Sequence, residues 1–540
     1  MISNFAKALQ SAEYTHTRNG ALSLSTPDNA GQSNGRLSLF FKGNRNINLP
    51  LLYDLLKKSS NENLLDTFCL VFNLRDCRGG KGERDLGRKA LIWLFLNFPK
   101  EFDSITHLLP EYGRWDDIIS LWPSVLDISI TNLPYLCQNY CVKINGIESI
   151  KYLQEIQKKL VKMMGDQLIL DKYHMELGIP ITLCAKWAPT QKDYNDINYN
   201  VVKTLCSTMK WSFKEYRKVY LSPLRAYLKI VERFMCNKDW KSIDFSKVPS
   251  NAMKRLKNAF LKNTPGTFDQ WKRELILGNN TINAKQLFPH EIVAAYMKKG
   301  YYDSIYEEQW KVLENNLLNK DVFSNALCII DVSGSMEEWD YYTRSVAPNN
   351  FKPIDVALAL GIIISKSIQG IFNNHVITFS EEPSFSVIPN YYNLYDKLCL
   401  LKKIDWGGST NLIKTFELIL KKATFANLAP KDMPEKIFII SDMQFNSCGG
   451  KTNFQTIDHQ YKFYGYKRPK IIFWNVNGST NDFPVSVDDN DTALVSGFST
   501  SVIKSIFSTA NFCPYNVMKE TINDSRYDPL RNSLLPLLQK

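Results

Sequence analysis

From about residue 48 to residue 320, apolar side chains recur three and four positions apart, as in Leu86, Ala90, Leu91 and Leu94 or in Leu224, Leu228, Val231 and Phe234. That spacing lines one face of a helix. Strand-like alternation is scarce there, and Pro110, Pro123, Pro180, Pro223, Pro249 and Pro289 divide the region into segments of helix-hairpin length. No strict period emerges, so the pattern predicts a stack of irregular antiparallel helices. Near residue 325 the character changes. Short apolar runs at 326–332, 375–379, 436–441 and 470–476 alternate with helical patterns at 354–369 and 411–422. Runs that are apolar on both faces predict a parallel sheet covered by helices on both sides. The fold class is therefore α plus α/β, an irregular helical domain followed by a doubly wound one.

Four segments follow from this reading. Residues 1–47 open with a stretch rich in Ser, Thr, Asn and Gly and are expected to form a flexible arm. Residues 48–320 form the helical domain, 321–510 the α/β domain, and 511–540 a helical tail.

Composition changes the picture in one respect. The chain has 540 residues, 44% of them hydrophobic, with 66 Lys and Arg against 54 Asp and Glu. Those figures exclude wholesale disorder and a collagen-like or coiled-coil rod. The surplus of +12 is unevenly placed: residues 1–320 hold 45 basic and 32 acidic side chains, and residues 321–540 hold 21 and 22. Within the first part, residues 201–280 carry 17 basic against 6 acidic, a net +11. A local excess of this kind attracts phosphate backbones or acidic partners.

The start, MISNFAKALQ, lacks a secretory pattern, and no apolar run approaches the length that spans a bilayer. Eleven cysteines occur without a CxxC pair, and Cys137 and Cys141 have no nearby His to complete a zinc set. Reduced thiols in a cytoplasmic protein with no membrane partner are expected.

The 326–332 strand ends in Asp331-Val332-Ser333-Gly334-Ser335. In a doubly wound sheet the loops at the carboxyl ends of strands form the ligand crevice. Two more loops can reach it, Trp406-Gly407-Gly408-Ser409-Thr410-Asn411 and Ile440-Ser441-Asp442. Asp331, Ser333, Ser335, Thr410 and Asp442 are the candidate metal ligands. Their hard oxygens suit Mg²⁺, or another hard divalent cation, rather than a thiophilic metal. Gly334, Gly407 and Gly408 are expected to let the backbone turn tightly around the ion.

In the basic segment, Arg217, Lys218, Arg225, Lys254, Arg255 and Lys257 are candidate RNA contacts, beside Lys229, with Trp211, Tyr216 and Tyr220 available to stack on bases. The aromatics taken alone suit helix–helix cores better. A second marked stretch, Leu74-Arg-Asp-Cys-Arg-Gly-Gly-Lys-Gly-Glu-Arg-Asp-Leu-Gly-Arg88, is followed by Tyr112-Gly-Arg-Trp-Asp-Asp117. Gly79, Gly80 and Gly82 beside Arg78, Lys81 and Arg84 can offer an anion site, or the mixed charges can form a network of ion pairs. It is not a P-loop.

At Asp331, Ser333, Ser335, Thr410 and Asp442 the chain resembles a von Willebrand factor type A domain with its metal-ion-dependent adhesion site. The resemblance implies that the serines and the threonine bind metal directly, while the aspartates act through water. LRDCRGGKGERDLGRKAL, EYGRWDD, AKWAPT, LSPLRAYLKIVE, DFSKVPSNAMKRLKNAFLKN, INAKQLFPHEI and DVSGSM resemble a poorly characterised family that joins a helical region to such a domain. VPSNAMKRLKN and LFPHEIV are also similar to the Ro-type RNA-binding proteins. That resemblance implies HEAT-like, TROVE-like helices that bind RNA, although much of 1–200 departs from the Ro pattern.

Three functions follow in order of preference. The first is a non-catalytic RNA-binding protein whose metal site engages an acidic partner group. The second is a metal-dependent adaptor that captures a protein with an exposed Asp or Glu, without RNA. The third, a metal-dependent nuclease, ranks last because no general base is evident; His375 begins a buried strand.

Overall fold

The computed structural model describes residues 14–17, 20–24, 34–44, 47–121, 146–193, 196–197, 200–284, 287–318, 323–337, 352–379, 383–404, 411–443, 445, 453–477, 483–485, 490–497 and 512–539. They divide into two compact units. One comprises Met1–Asp66, Ser246–Arg255 and Asp269–Asp524; the other comprises Thr67–Phe245, Leu256–Phe268 and Ser525–Lys540. The change from helical to alternating elements falls at Phe323. Compactness divides the chain elsewhere, because helices Pro289–Lys299 and Ser304–Leu318 pack with the sheet-bearing unit.

The first unit contains a hairpin, β1 (Tyr14–His16) and β2 (Leu22–Leu24), a short parallel pair of Phe323–Ser324 with Ile368–Gln369, and the six strands of its main sheet. These are β3 (Ala326–Asp331), β4 (His375–Phe379), β5 (Ser384–Val387), β6 (Lys436–Ser441), β7 (Lys470–Asn475) and β8 (Thr492–Ser496). They form one sheet in the order β8-β7-β6-β3-β4-β5, parallel throughout except for the antiparallel edge pair β4–β5. The runs ALCIID and TALVS are buried along their whole length, as strands covered on both faces must be. One face carries Leu327, Ile329, Ile437, Ile439, Ile471, Phe473 and Leu494 against Leu412, Phe416 and Ile419 of helix Leu412–Phe425 and Ile457 of helix Asn453–Phe463. Helix Pro353–Ser367 covers β3 so closely that a Cβ on Gly361 would lie 2.3 Å from Ile330 Cδ1. A side chain at 361 would have to displace Ile330.

The expectation of a flexible arm over residues 1–47 is corrected for the described residues among them. Ala21, Leu24 and Phe41 join the apolar face of the sheet, β2 bridges Phe483, and Ser496 Oγ donates to the Phe40 carbonyl at 3.0 Å. Helix Gly35–Lys42 starts at Asn34, whose side chain accepts from Leu37 N–H, and buries Leu37, Leu39, Phe40 and Phe41. The polar composition of residues 1–35 concealed an apolar stretch that needs a partner surface.

The second unit is helical throughout its described residues, with Leu64–Arg75, Arg84–Asn97, Trp115–Leu121, Gly146–Glu176, Val201–Met209, Ser222–Tyr227, Val231–Cys236 and Asp528–Leu538 among its elements. Phe68, Phe72, Leu94, Phe95, Phe102 and Tyr112 are buried at its centre. The eight cysteines among the described residues form no disulfide. No helix among them is long and apolar enough to cross a membrane.

Candidate metal centre

β3 is flanked by β4 and β6, and the chain fills the β4 side before returning to lay down β6. The order reverses between β3 and β6, which makes their carboxyl ends the switch-point crevice of the sheet. Asp331 closes β3, and Asp442 follows the last residue of β6. Asp331 is 0%, Asp442 1% and Ser333 1% exposed. Asp331 Oδ1 accepts from Ser333 N–H at 2.9 Å, and Oδ2 accepts from Ser441 Oγ at 2.5 Å. The Ser333 and Ser335 hydroxyls lie 3.1 Å apart. Met443 N–H in turn donates to Ser441 Oγ at 3.0 Å, which holds the β6 end in register with Asp331.

These contacts bring four of the five candidate ligands to the ends of adjacent strands; Thr410 lies outside the described residues, as do Gly407 and Gly408. Asn411, next in the chain, caps the following helix by accepting from Lys414 N–H at 2.9 Å. Gly334 differs from expectation: its surroundings are open and its φ is not left-handed, so a side chain would be tolerated.

Burial pushes the Asp331 carboxyl up to about 7, and the nearby Asp442 carboxylate adds to the rise against the hydrogen bonds from Ser441 and Ser333. No Lys or Arg forms an ion pair with Asp331 among the described residues. A divalent cation would reverse the sign of that interaction. Nor do three or more His, Cys, Asp and Glu converge anywhere among the described residues, so a metal here would depend on hydroxyl oxygens beside the two carboxylates. Such a donor set fits Mg²⁺ and not zinc.

Sequence reasoning missed the depth of this site. Ser441 pairs in register with Asn475 on β7, which pairs with Ser496 on β8. Asp331, Ser441, Asn475 and Ser496 are all 0% exposed and follow alternate core positions of their strands, so they form a polar row across four carboxyl ends on one face. The signal was available, since each is the first polar residue after an apolar run. His375 opens β4, while Phe379 at its other end stands level with Asp331. Four strand residues place it roughly 13 Å from the Asp331 end.

The six candidate RNA residues differ in exposure and in their partners. Arg217, Lys218 and Arg255 are exposed. Arg225 instead donates to the Ala185 carbonyl at 2.9 Å, the Ala188 carbonyl at 2.8 Å and Thr190 Oγ1 at 3.0 Å, clasping the AKWAPT loop. Lys254 donates to the Glu291 carbonyl at 3.2 Å, and Lys257 is buried. Tyr216 is buried and donates to the Pro189 carbonyl at 2.6 Å, while Trp211 and Tyr220 stack on each other with centroids 4.1 Å apart.

The glycine-rich stretch is an ion-pair network. Asp117 Oδ2 meets Arg75 Nη2 at 2.6 Å, and its Oδ1 accepts from Arg88 Nε at 2.6 Å. Asp116 pairs with Arg88 at 2.7 Å and Arg84 at 3.3 Å. Asp76 accepts from Arg78 N–H at 2.9 Å and from Arg526 Nη2 at 2.8 Å. Lys81 is buried, and burial pushes its ammonium down to about 7, which removes it from any surface anion. Gly80 is required sterically, since a Cβ would lie 2.2 Å from the Asn73 carbonyl oxygen.

Comparison with known proteins adds four findings. Residues 325–532 match a family described as a domain of unknown function (DUF7788), and residues 151–322 match another, DUF2828. Both agree with the expected kinship to a family of unknown function. The uncharacterized protein L728 of Acanthamoeba polyphaga mimivirus is 28% identical over 542 residues, covering 96% of this chain and 89% of that protein. The RO (RSR) protein of Deinococcus radiodurans superposes with a TM-score of 0.34 at 13% identity, covering 93% of this chain and 95% of that one. A match that loose carries no argument.

Proposed function

We propose that this chain is a non-catalytic binding protein with two modes. A Mg²⁺-dependent site of von Willebrand A type takes an acidic group of a protein partner, and exposed cations of the basic helical segment take RNA. One observation carries the reading: Asp331 is fully buried beside Asp442 at the switch point, with hydroxyl and amide donors around it. A buried carboxylate of raised pKa in such a crevice is a functional signature rather than a device for stability. Asp331, Ser333, Ser335 and Asp442 would hold the ion, with Thr410 as the resemblance implies. The ion would supply an electrophilic position for a carboxylate oxygen. Ser441 orients Asp331 through its hydroxyl.

Isothermal titration of the purified chain with Mg²⁺ and Mn²⁺ tests the site. The native chain should bind one ion per molecule, and Asp331→Ala should bind none. Retained affinity in that variant would refute the assignment. For RNA, anisotropy of a labelled single strand should fall steeply with salt. The adaptor reading without RNA gains from the internal commitment of Arg225 and Lys254. Absence of RNA binding at low salt would leave that reading in place.

A further inference from the structure

Helices often end on a residue in the left-handed region, and glycine normally fills that position because a Cβ is strained there. The chain follows this rule at Gly178 (φ +72°), Gly278 (φ +81°) and Gly465 (φ +76°), and uses asparagine at Asn427 (φ +47°). In each, the N–H of that residue and of the next bond back to carbonyls of the last turn, as with Gly278 to Leu275 and Asn279 to Glu274. Lysine takes the place at Lys210 (φ +57°), Lys229 (φ +49°) and Lys238 (φ +57°), all within residues 201–240. Lys210 N–H donates to Ser207, Lys229 to Ala226 and Lys238 to Met235, and Trp211 and Asp239 complete the first and third caps.

Helix polarity does not explain the choice at Lys229 and Lys238; the helix before Lys210 carries no basic residue in its last turn. A cation favours a helix C-terminus from anywhere in the last turn. Arg225 and Arg233 already stand in the last turns of the helices before Lys229 and Lys238. Where glycine caps, as after Pro265–Ile276 and Asn453–Phe463, Arg273 and Lys462 serve from inside the turn. The three lysines are exposed, and none forms an ion pair among the described residues. Exposed aromatics lie between them in the chain, Phe213 at 43% and Tyr227 at 39%. Cations interleaved with aromatic faces suit a single-stranded nucleic acid, whose phosphates and bases need both.

Resting on the RNA reading above, we infer that Lys210, Lys229 and Lys238 are phosphate contacts for single-stranded RNA, kept as lysine at positions where the backbone favours glycine. The test is the triple variant Lys210→Gly/Lys229→Gly/Lys238→Gly, with Lys→Asn at all three as a second version that also tolerates the left-handed region. The probe is fluorescein-labelled 20-nucleotide oligouridylate, read by anisotropy from 50 to 300 mM NaCl. The glycine triple should melt no lower than the native chain. It should bind at least about tenfold more weakly at 100 mM salt, with a log–log salt slope smaller by about 2, the value for three lost phosphate contacts on a single strand. Neutralising the exposed Lys421, Lys422 and Lys431 to Gln controls for net charge and should change affinity much less. Equal losses in the two triples, or native affinity in both cap variants, would overturn the inference while leaving RNA binding intact. No binding by the native chain at 50 mM salt would remove the RNA reading and this inference with it. Tighter binding of labelled poly-glutamate than of oligouridylate, lost in the cap triple, would overturn it in favour of an acidic protein.

Discussion

Two buried aspartate centres, one in each compact unit, solve the same electrostatic problem in opposite ways. Asp117 is 1% exposed and meets the guanidinium groups of Arg75 and Arg88 and the N–H of Arg114. Asp331 is 0% exposed and meets a serine hydroxyl, one amide and the field of a second carboxylate. The first charge is neutralised by the chain itself. The second forms no ion pair with Lys or Arg among the described residues. Burial alone therefore does not set the state of a carboxylate; the sign of its neighbours does as well.

The largest effect should come from Asp117→Asn. It strands Arg75, which is 2% exposed, and breaking such a pair costs about 3–5 kcal/mol. Urea denaturation followed by circular dichroism measures it; a loss below 1 kcal/mol would mean the network is dispensable. Asp355 tests an intermediate arrangement, since it is buried and accepts from the Lys352 N–H at 2.7 Å. Burial raises its carboxyl to about 6, so the folded state holds this proton more tightly than the unfolded chain. Its contribution to stability is complete below about pH 4 and lost as pH rises through 6, up to roughly 3 kcal/mol. Urea midpoints between pH 4 and 7 should show that fall in the native chain, flattened in Asp355→Asn. The smallest effect has the opposite sign to the first. In EDTA at neutral pH, Asp331→Asn should stabilise the chain by about 1–2 kcal/mol, because it removes the repulsion between the Asp331 and Asp442 carboxylates. Destabilisation there would erase the contrast between the two centres.

Much of the sheet was legible in the sequence. The runs at 375–379 and 436–441 match β4 and β6, and the 354–369 helix lies at Pro353–Ser367. Apolar runs that long leave little choice of partner. β5 was not legible, because its alternating half-exposed SFSV marks an edge strand too short to stand out. Ser441, Asn475 and Ser496, beside the candidate metal ligands, are polar residues ending apolar runs, yet their alignment into a row depends on strand register. Counting charge in 201–280 located a basic segment but not which cations remain free to bind, since Arg225 is engaged by loop carbonyls. The partner of Asp76 lies 450 residues away at Arg526, beyond any local pattern.

That last separation bears on how the chain is made. Tyr112 stacks on Tyr527 at 5.7 Å and donates to the Arg526 carbonyl, and Asn73 donates to Tyr527 at 3.0 Å. A ribosome adding 5–20 residues per second reaches residue 526 roughly 20 to 90 seconds after residue 76. Throughout that interval the Asp76 pocket is without its arginine. The helical unit, begun at Thr67, closes only with Ser525–Lys540, and a nascent chain arrested before 525 would present an unfinished core to chaperones.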